Sequence, residues 1–362
     1  MRKFIIHLKK LDWYLIFLSL SISSIGLLSI YSSSPRTDFF NFEKQIVFLV
    51  IGFILMLAIS FFDWRSLKND PFLIIFLYLI FFIFLLGLFF FAPSIRGVKS
   101  WYKIGPFSFE PIVFMELIIV ILLAKYFSLR HIELYRVKHI IISGIYVLIP
   151  SLLVFFQPDL GSAIIILGVW IFTLFISGIR LRHFLILTLI FVLIFSLGWM
   201  FFLKDYQKER ITSFIRPHLN VRTSGWSQNQ SKIAIGSGGL FGKGIRKGTQ
   251  TQYGFLPEPQ TDFIFAAIAE ETGFLGVFVL FILFILLFLH LFKIAFIRQS
   301  NFVRLFTLGF AFLIAIQAFI NIGMNLGILP IIGIPLPFVS YGGSSLVTLF
   351  IGLGILQSIR TH

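Results

Sequence analysis

Cysteine is absent from this chain of 362 residues. Without it the protein can form no disulfide, use no thiolate as a nucleophile and bind no metal through sulfur. The seven histidines are scattered, with no HExxH motif and no close pair at helical spacing, so the sequence predicts no zinc site.

Charged residues are also scarce, at 12% of the chain against 58% hydrophobic residues. A soluble domain carries about 25% charged residues, so a soluble fold is excluded. Apolar runs recur at the length of about 20 residues that crosses a bilayer. They predict an all-α integral membrane protein, a polytopic bundle of about ten transmembrane helices, with residues 1–362 as a single domain. The predicted spans are about 12–32, 45–62, 71–92, 109–127, 139–156, 160–178, 184–203, 263–291, 303–325 and 343–359.

The net charge of +15 raises the possibility of a nucleic-acid partner. Basic residues alternate with apolar spans, however, as the positive-inside bias of membrane loops predicts. With the N-terminus in the cytoplasm, sixteen of the 30 basic residues fall on the cytoplasmic side and five in short outer loops. We therefore expect no nucleic acid and both termini in the cytoplasm. The other nine basic residues lie in a long segment, about 204–262, which this topology places on the outer face as one long extracytoplasmic loop.

Seven acidic residues lie within a span or at outer-leaflet depth, where ionisable groups are costly and usually face a cavity or a partner. They are Glu110, Glu116, Asp159, Glu258, Asp262, Glu270 and Glu271. Most lie close to the outer surface, which places any chemistry on that side.

Asp262 opens the apolar run of the eighth predicted span. Either Thr261 or Asp262 caps that helix, or the carboxylate serves as a general base at the boundary between water and lipid. Glu270 lies two turns deeper on a similar face and is expected to pack or form hydrogen bonds. Asp159, between Pro158 and Gly161, is expected to cap the sixth span.

Two stretches are rich in glycine. Six glycines lie between Gly236 and Gly248, and they either form backbone nests for an anion such as pyrophosphate or make flexible turns. The stretch from 321 to 345 is an apolar segment broken by proline and glycine. Backbone that irregular at membrane depth must be buried in protein or line a cavity.

Several ordered motifs together resemble the SEDS family (shape, elongation, division and sporulation proteins) and, within it, the RodA group. The resemblance covers essentially the whole chain. It rests on Gln157–Ala163, Gln230–Leu240, Leu256–Glu258 leading into Thr261–Phe265, Asn321–Met324, Gly333–Pro337 and Ser340–Ser345.

The resemblance implies a peptidoglycan glycosyltransferase that joins lipid II units on the outer face of the cytoplasmic membrane and releases undecaprenyl pyrophosphate. The family's essential aspartate matches Asp262, the implied catalytic base for an inverting attack by a sugar hydroxyl. The expected substrate-binding residues are Trp101, Asp159, Gln230, Ser231, Lys232, Lys243 and Glu258. Lys232 and Lys243 are expected to bind the pyrophosphate, with lipid-headgroup contact as the alternative. The implied partners are a class B penicillin-binding protein and other membrane proteins of the elongation complex. No cofactor is implied, and a divalent cation is left open.

The fourth predicted span departs from the family pattern, because Val113 and Glu116 stand where the family has glutamate and lysine. The usual ion pair is therefore not expected. Gln260 also stands where histidine is common. A division-type FtsW polymerase, a lipid II flippase and a non-catalytic scaffold are the alternatives. The absence of an inverted repeat argues against a transporter, and the intact Asp262 motif argues against a scaffold.

Overall fold

The computed structural model describes residues 2–35, 37–94, 98–105, 107–130, 137–189, 214, 224–297 and 300–362. Within these ranges, nine helices are long and apolar enough to cross a membrane, which confirms the all-α membrane architecture. They are α2 (Trp13–Ser33), α3 (Phe40–Ser60), α5 (Pro71–Phe91), α6 (Pro111–Ser128), α7 (Val137–Phe156), α8 (Leu160–Ser177), α11 (Ile264–Ile297), α12 (Asn301–Leu326) and α13 (Gly343–Thr361).

The predicted span 184–203 begins within residues 181–189, which are helical, and its remainder lies outside the described residues. The shorter elements are α1 (Arg2–Lys10), α4 (Arg65–Asn69), α9 (Ser224–Ser237), α10 (Thr249–Gln252) and an antiparallel hairpin of β1 (Tyr102–Ile104) and β2 (Phe107–Phe109). Of the predicted long outer loop, residues 214 and 224–262 are described, and the latter contain α9 and α10.

Local sequence signals set several helix ends. The Asp159 carboxylate accepts a hydrogen bond from the Ser162 amide at 3.1 Å, so its predicted capping role is confirmed. Asp70 caps α5 in the same way, with proline at the first helical position. Gly178 and Gly327 end α8 and α12 in the left-handed conformation.

Three helices form the centre of the bundle. In the most apolar 18-residue stretch of each helix, 78%, 72% and 78% of the residues are buried in α6, α12 and α13, against 17% in α3 and α5. The peripheral helices turn apolar side chains outward, as lipid contact requires. Gly354 of α13 lies so close to α3 that a Cβ there would be 2.9 Å from the Met56 carbonyl oxygen. Small residues of this kind let membrane helices approach closely.

Helix α11 is kinked at Gly273, which has φ 68°. The loop before α10 docks at this break, where the Gly244 amide donates to the Glu271 carbonyl at 2.9 Å and the Lys243 amide to Glu270 at 3.0 Å. The Gly242 amide donates to Gly238 at 2.8 Å. Because these amides already have carbonyl acceptors, the anion-nest interpretation is wrong for residues 242–244. Glycine is needed there for close contact, since a Cβ on Gly242 would be 2.1 Å from the Glu271 oxygen.

A polar cluster at the opposite end of the bundle joins α2, α11 and α13. Asp12 is 3% exposed, and its Oδ2 accepts from His290 Nε2 and Arg360 Nη1, both at 2.8 Å. Gln357 pairs with the Asp12 backbone on both sides, at 2.7 and 3.0 Å.

Candidate active site

Asp262 lies at the start of α11, and the end of α12 holds its backbone in place. Its carbonyl oxygen accepts hydrogen bonds from the Nδ2 atoms of Asn321 at 3.1 Å and Asn325 at 2.9 Å. These two asparagines are one turn apart and both fully buried. Two buried donors on one carbonyl fix the peptide from which the Asp262 side chain projects.

Asn325 connects three elements. Its Oδ1 accepts from the Ala266 amide of α11 at 3.1 Å, one of the first-turn amides that a helix leaves without an internal partner. Its backbone carbonyl accepts from Ser231 Oγ of α9 at 2.8 Å. Ser231 of α9 and the Asp262 peptide are thus held by the same residue.

The loop between α12 and α13 covers the Asp262 side chain. A Cβ on Gly333, where φ is 85°, would lie 3.6 Å from Asp262 Oδ2, so the carboxylate faces glycine backbone. The loop is tied to the segment before α11, because Ser340 Oγ donates to the Thr261 carbonyl at 2.7 Å and the Tyr341 amide to Gln260 at 2.8 Å. Leu336, Phe338 and Val339 of this loop are buried, as predicted for the broken segment: Leu336 1%, Phe338 2%, Val339 0% exposed.

Gln260 anchors the Asp262 segment to the α2–α3 connection. Its Oε1 accepts from Asn41 Nδ2 at 2.7 Å, and its Nε2 donates to Ser34 Oγ at 3.3 Å. The residue that replaces the family's frequent histidine therefore has a bracing role. Glu258 lies earlier in the same segment with φ 43°, and its carbonyl accepts from the Thr261 and Phe263 amides, both at 3.2 Å.

Lys232 projects from α9 over the end of α12. A Cβ on Gly327 would lie 2.1 Å from Lys232 Cε and 2.6 Å from its Nζ, so only glycine leaves room for this side chain. The ammonium is thereby placed at a helix C-terminus, where a cation is favourable. Because Ser231 binds Asn325, the structure brings Ser231 and Lys232 next to the two asparagines that hold the Asp262 peptide. Gln230, on the same helix, is partly buried.

Lys243 lies elsewhere, in the loop between α9 and α10 that packs against α11 at Glu270. Its Nζ is 3.2 Å from Glu270 Oε1 and 2.7 Å from Thr249 Oγ1. Glu270 is fully buried and also accepts from the amides of Gln250 at 2.8 Å and Thr251 at 3.0 Å. The expectation that Glu270 is a hydrogen-bonding group is confirmed. The pyrophosphate role of Lys243 stays a prediction. Glu270, with which the Lys243 ammonium pairs, lies about two helical turns beyond Asp262.

A second polar cluster borders the Asp262 loop. Asp159 Oδ2 accepts from Ser100 Oγ at 3.2 Å. Burial, with the nearby Asp159 charge, raises the pKa of Glu110 to about 8, while a hydrogen bond to Trp101 opposes the rise. Asp159 and Trp101 are therefore grouped with each other, apart from Lys232 and Lys243.

A glycine contact connects this cluster to the active site. A Cβ on Gly161 would lie 2.9 Å from Ile332 and 3.0 Å from Ile334. These residues flank Gly333, which faces Asp262. Two residues on from Asp159, α8 thus packs against the loop that covers the carboxylate.

The chain is similar to known proteins over almost its whole length. Residues 10–362 match the sequence model of the FtsW, RodA and SpoVE family, described as "Cell cycle protein". The "Peptidoglycan glycosyltransferase MrdB" of Escherichia coli (strain K12) is 35% identical over 353 residues, covering 97% of this chain and 94% of that protein. The chain belongs to this family.

Two solved structures share its fold. One, reported as "Structural coordination of polymerization and crosslinking by a peptidoglycan synthase complex", has a TM-score of 0.82 at 30% identity and covers 97% of both chains. The "Rod shape determining protein RodA" of Thermus thermophilus has a TM-score of 0.72 at 30% identity and covers 97% of this chain and 96% of that one.

The departure from the family pattern in the fourth span has a structural counterpart. Glu116 is 2% exposed, and its Oε2 accepts from Gln317 Nε2 of α12 at 3.0 Å. Val113 is buried. A hydrogen bond between α6 and α12 therefore occurs where the family pattern would place an ion pair within α6.

Sequence reasoning missed Asn325 as part of the site. The available signal was the spacing of Asn321 and Asn325, four residues apart on an otherwise apolar helix. Buried amides at that spacing share a face and need partners. Among the described residues, no group of three or more histidine, aspartate or glutamate side chains is arranged to hold a metal ion.

Proposed function

We propose that this chain polymerises lipid II into glycan strands for rod-shape elongation, with Asp262 as the catalytic base. Its E. coli relative is named a peptidoglycan glycosyltransferase and its Thermus neighbour a rod shape determining protein. The glycosyltransferase activity predicted from the sequence is confirmed at this level. The observation that carries the residue assignment is the double clamp of Asn321 and Asn325 on the Asp262 peptide.

In the proposed step, Asp262 takes the proton from a sugar hydroxyl of one lipid II. The resulting oxygen nucleophile forms a bond to the anomeric carbon of the growing strand. The bond from that carbon to the pyrophosphate oxygen breaks with inversion, and undecaprenyl pyrophosphate leaves. A base held by rigid backbone contributes about 10²–10⁴-fold to such a proton transfer.

Lys232 is the cation best placed to stabilise the leaving anion, since its helix contacts Asn325 through Ser231. Losing a charge-assisted hydrogen bond costs about 1.5–3 kcal/mol. Lys232→Ala should therefore slow turnover on the order of tenfold to a hundredfold. Turnover near the wild-type rate in detergent, where no anionic headgroup competes, would remove Lys232 from the site.

The decisive experiment is polymerisation of purified lipid II by the purified protein. Asp262→Ala and Asp262→Asn should both lose polymer formation, because neither side chain can accept the proton at neutral pH. Asp38→Ala is the matched control, since Asp38 is an exposed carboxylate that accepts a hydrogen bond from the local Phe40 amide at 2.9 Å. If Asp262→Ala kept most of the rate, the base would have to be another residue. Movement of lipid II across vesicles without polymer would favour the flippase instead.

We also propose that residues 1–362 form one SEDS-type domain in the cytoplasmic membrane, with both termini in the cytoplasm and the active site facing outward. The bias of basic residues supports this orientation. Tyr253→Cys, at an exposed position beside α10, should react with an impermeant maleimide in intact spheroplasts. Lys10→Cys, exposed at the end of α1, should react only after the cells are opened. The reverse pattern would overturn the topology.

The proposed partner is a class B penicillin-binding protein that crosslinks the new strands, within a larger set of elongation proteins in the membrane. Support comes from the structural neighbour that belongs to a synthase complex coordinating polymerisation and crosslinking. Co-purification of the two proteins from membranes, with higher lipid II turnover in the pair, is the expected result. Failure to associate in detergent and in membranes would remove this partner.

A further inference from the structure

A shallow apolar groove runs along the bundle surface between α2 and α3. Its volume is about 350 Å³, and its lining residues are Ser24, Leu27, Leu28, Tyr31 and Phe42. From residue 24 to residue 31 the helix advances about 10 Å. The groove therefore offers room for part of an acyl chain, and it ends at Tyr31. This is the end of α2 that lies beside the Asp262 segment, because Ser34 contacts Gln260 there.

Arg246 covers that end of the groove. Its guanidinium carbon lies 4.7 Å from the centre of the Tyr31 ring and 5.0 Å from that of Phe39, within cation–π range. Its Nη2 donates to the Ser34 carbonyl at 3.2 Å, and its backbone amide donates to Ser32 Oγ at 2.8 Å. Both ends of the residue are thus fixed.

The guanidinium forms no ion pair within the described part of the chain, and the Glu271 carboxylate interacts with the Arg246 backbone amide instead. The enclosed Nε of Arg246 has no hydrogen-bond acceptor there. A guanidinium has five N–H donors, and one is used on Ser34. Leaving the enclosed Nε of a partly buried guanidinium without an acceptor is costly, so an anion from outside the chain would complete the site.

We propose that Arg246 binds the phosphate of an anionic glycerophospholipid and that one acyl chain of this lipid lies in the groove. A guanidinium matches a single phosphodiester with two parallel hydrogen bonds. An amphipathic aromatic ring such as that of Tyr31 is favourable at headgroup depth. The site is distinct from the reaction centre, to which Arg246 is connected through Ser34 and then Gln260.

This arrangement predicts a connection from the lipid to the active site. Ser34 accepts from Arg246 at its carbonyl and from Gln260 at its hydroxyl, and Gln260 lies two residues before Asp262. A bound phospholipid would therefore hold the connection that braces the catalytic segment.

Native mass spectrometry of the purified protein, titrated with phosphatidylglycerol, tests the proposal. The wild type should retain one phosphatidylglycerol and bind phosphatidylcholine more weakly. Arg246→Gln should weaken phosphatidylglycerol binding by about tenfold or more, since a charge-assisted contact is lost. The matched control is Lys247→Gln, which makes the same change in charge at the exposed neighbouring residue and should leave binding unchanged.

Ser24→Leu tests the acyl chain separately, because it fills the groove without touching the guanidinium. It should also weaken phosphatidylglycerol binding, while thermal unfolding without lipid stays as in the wild type. Equal binding by Arg246→Gln and Lys247→Gln, or full binding by Ser24→Leu, would overturn the proposal. So would undecaprenyl phosphate displacing phosphatidylglycerol from the wild type at equal concentration, since the groove would then belong to the polyprenyl lipid.

Discussion

Asn325 offers the sharpest test of how the fold positions Asp262, the proposed catalytic base. Asn325→Leu keeps the size of the side chain but removes its donors and its acceptor. The Asp262 carbonyl would lose the 2.9 Å bond from Asn325 and keep the 3.1 Å bond from Asn321, and the buried Ala266 amide would lose its acceptor. An unsatisfied buried donor costs about 1–3 kcal/mol and a lost hydrogen bond about 1 kcal/mol. We therefore expect a loss of about 2–4 kcal/mol in unfolding free energy.

The effect on catalysis should exceed what this loss of stability explains. Misplacing a catalytic group by about 1 Å can cost on the order of 10²-fold in rate. We expect kcat for lipid II polymerisation to fall by about 10- to 100-fold, with KM little changed, because the substrate contacts remain. Asn325→Asp keeps an acceptor for the Ala266 amide but places an oxygen against the Asp262 carbonyl, so it should be as slow as the leucine variant.

The control is a variant of the same helix that is equally unstable but distant from Asp262. Phe310 is fully buried near the middle of α12, and Phe310→Leu should lower the unfolding temperature through lost packing. Both variants are assayed well below their unfolding temperatures. If Asn325→Leu retained kcat within twofold of Phe310→Leu, Asn325 would only stabilise the fold, and the clamp argument would be refuted.

Three further predictions concern other polar contacts. Because burial raises the pKa of Glu110 from 4.5 to about 8, the folded chain keeps a proton that the unfolded chain releases. The unfolding temperature should therefore fall as pH rises from about 5 to 8. Glu110→Gln should make the unfolding temperature less dependent on pH in this range, and an unchanged dependence would contradict the raised pKa of Glu110. Asp12→Asn should lower the unfolding free energy by about 1–3 kcal/mol, as it leaves His290 and Arg360 without their shared carboxylate. If Lys243 acts through Glu270, the stability losses of Lys243→Met and Glu270→Gln should be non-additive in a double-mutant cycle; additive losses would separate the two residues.

The sequence was sufficient for the parts of the fold that depend on composition and local signals. Apolar runs located nine helices within a few residues, because bilayer thickness fixes their length. The cap at Asp159 was predictable since it involves residues three positions apart. The hairpin at Tyr102–Phe109 was missed, because three-residue strands produce too short an alternating pattern.

Contacts between distant segments were less accessible. The glycines before α10 carried two interpretations, and for residues 242–244 the structure excludes the anion nest through hydrogen bonds, two of them to α11, that no local pattern specifies. Lys243 and Lys232 looked equivalent in sequence, yet one pairs with Glu270 and the other lies over Gly327. Which partner a lysine meets depends on helix packing, and helix packing is set by the whole bundle.

Asn325 shows why a motif alone gives an incomplete site. The motif indicates Asp262 as the reacting group, but a carboxylate contributes as a base only if its orientation is fixed before the substrate arrives. That orientation comes from Asn321 and Asn325, which follow Asp262 by 59 and 63 residues. The chain crosses the bilayer in between through α11 and back through α12, so local spacing gives no access to it. Buried polar side chains on apolar membrane helices are the residues to search for in such cases. Each must find a partner in a medium without water, and near an active site that partner can be the backbone that carries the catalytic group.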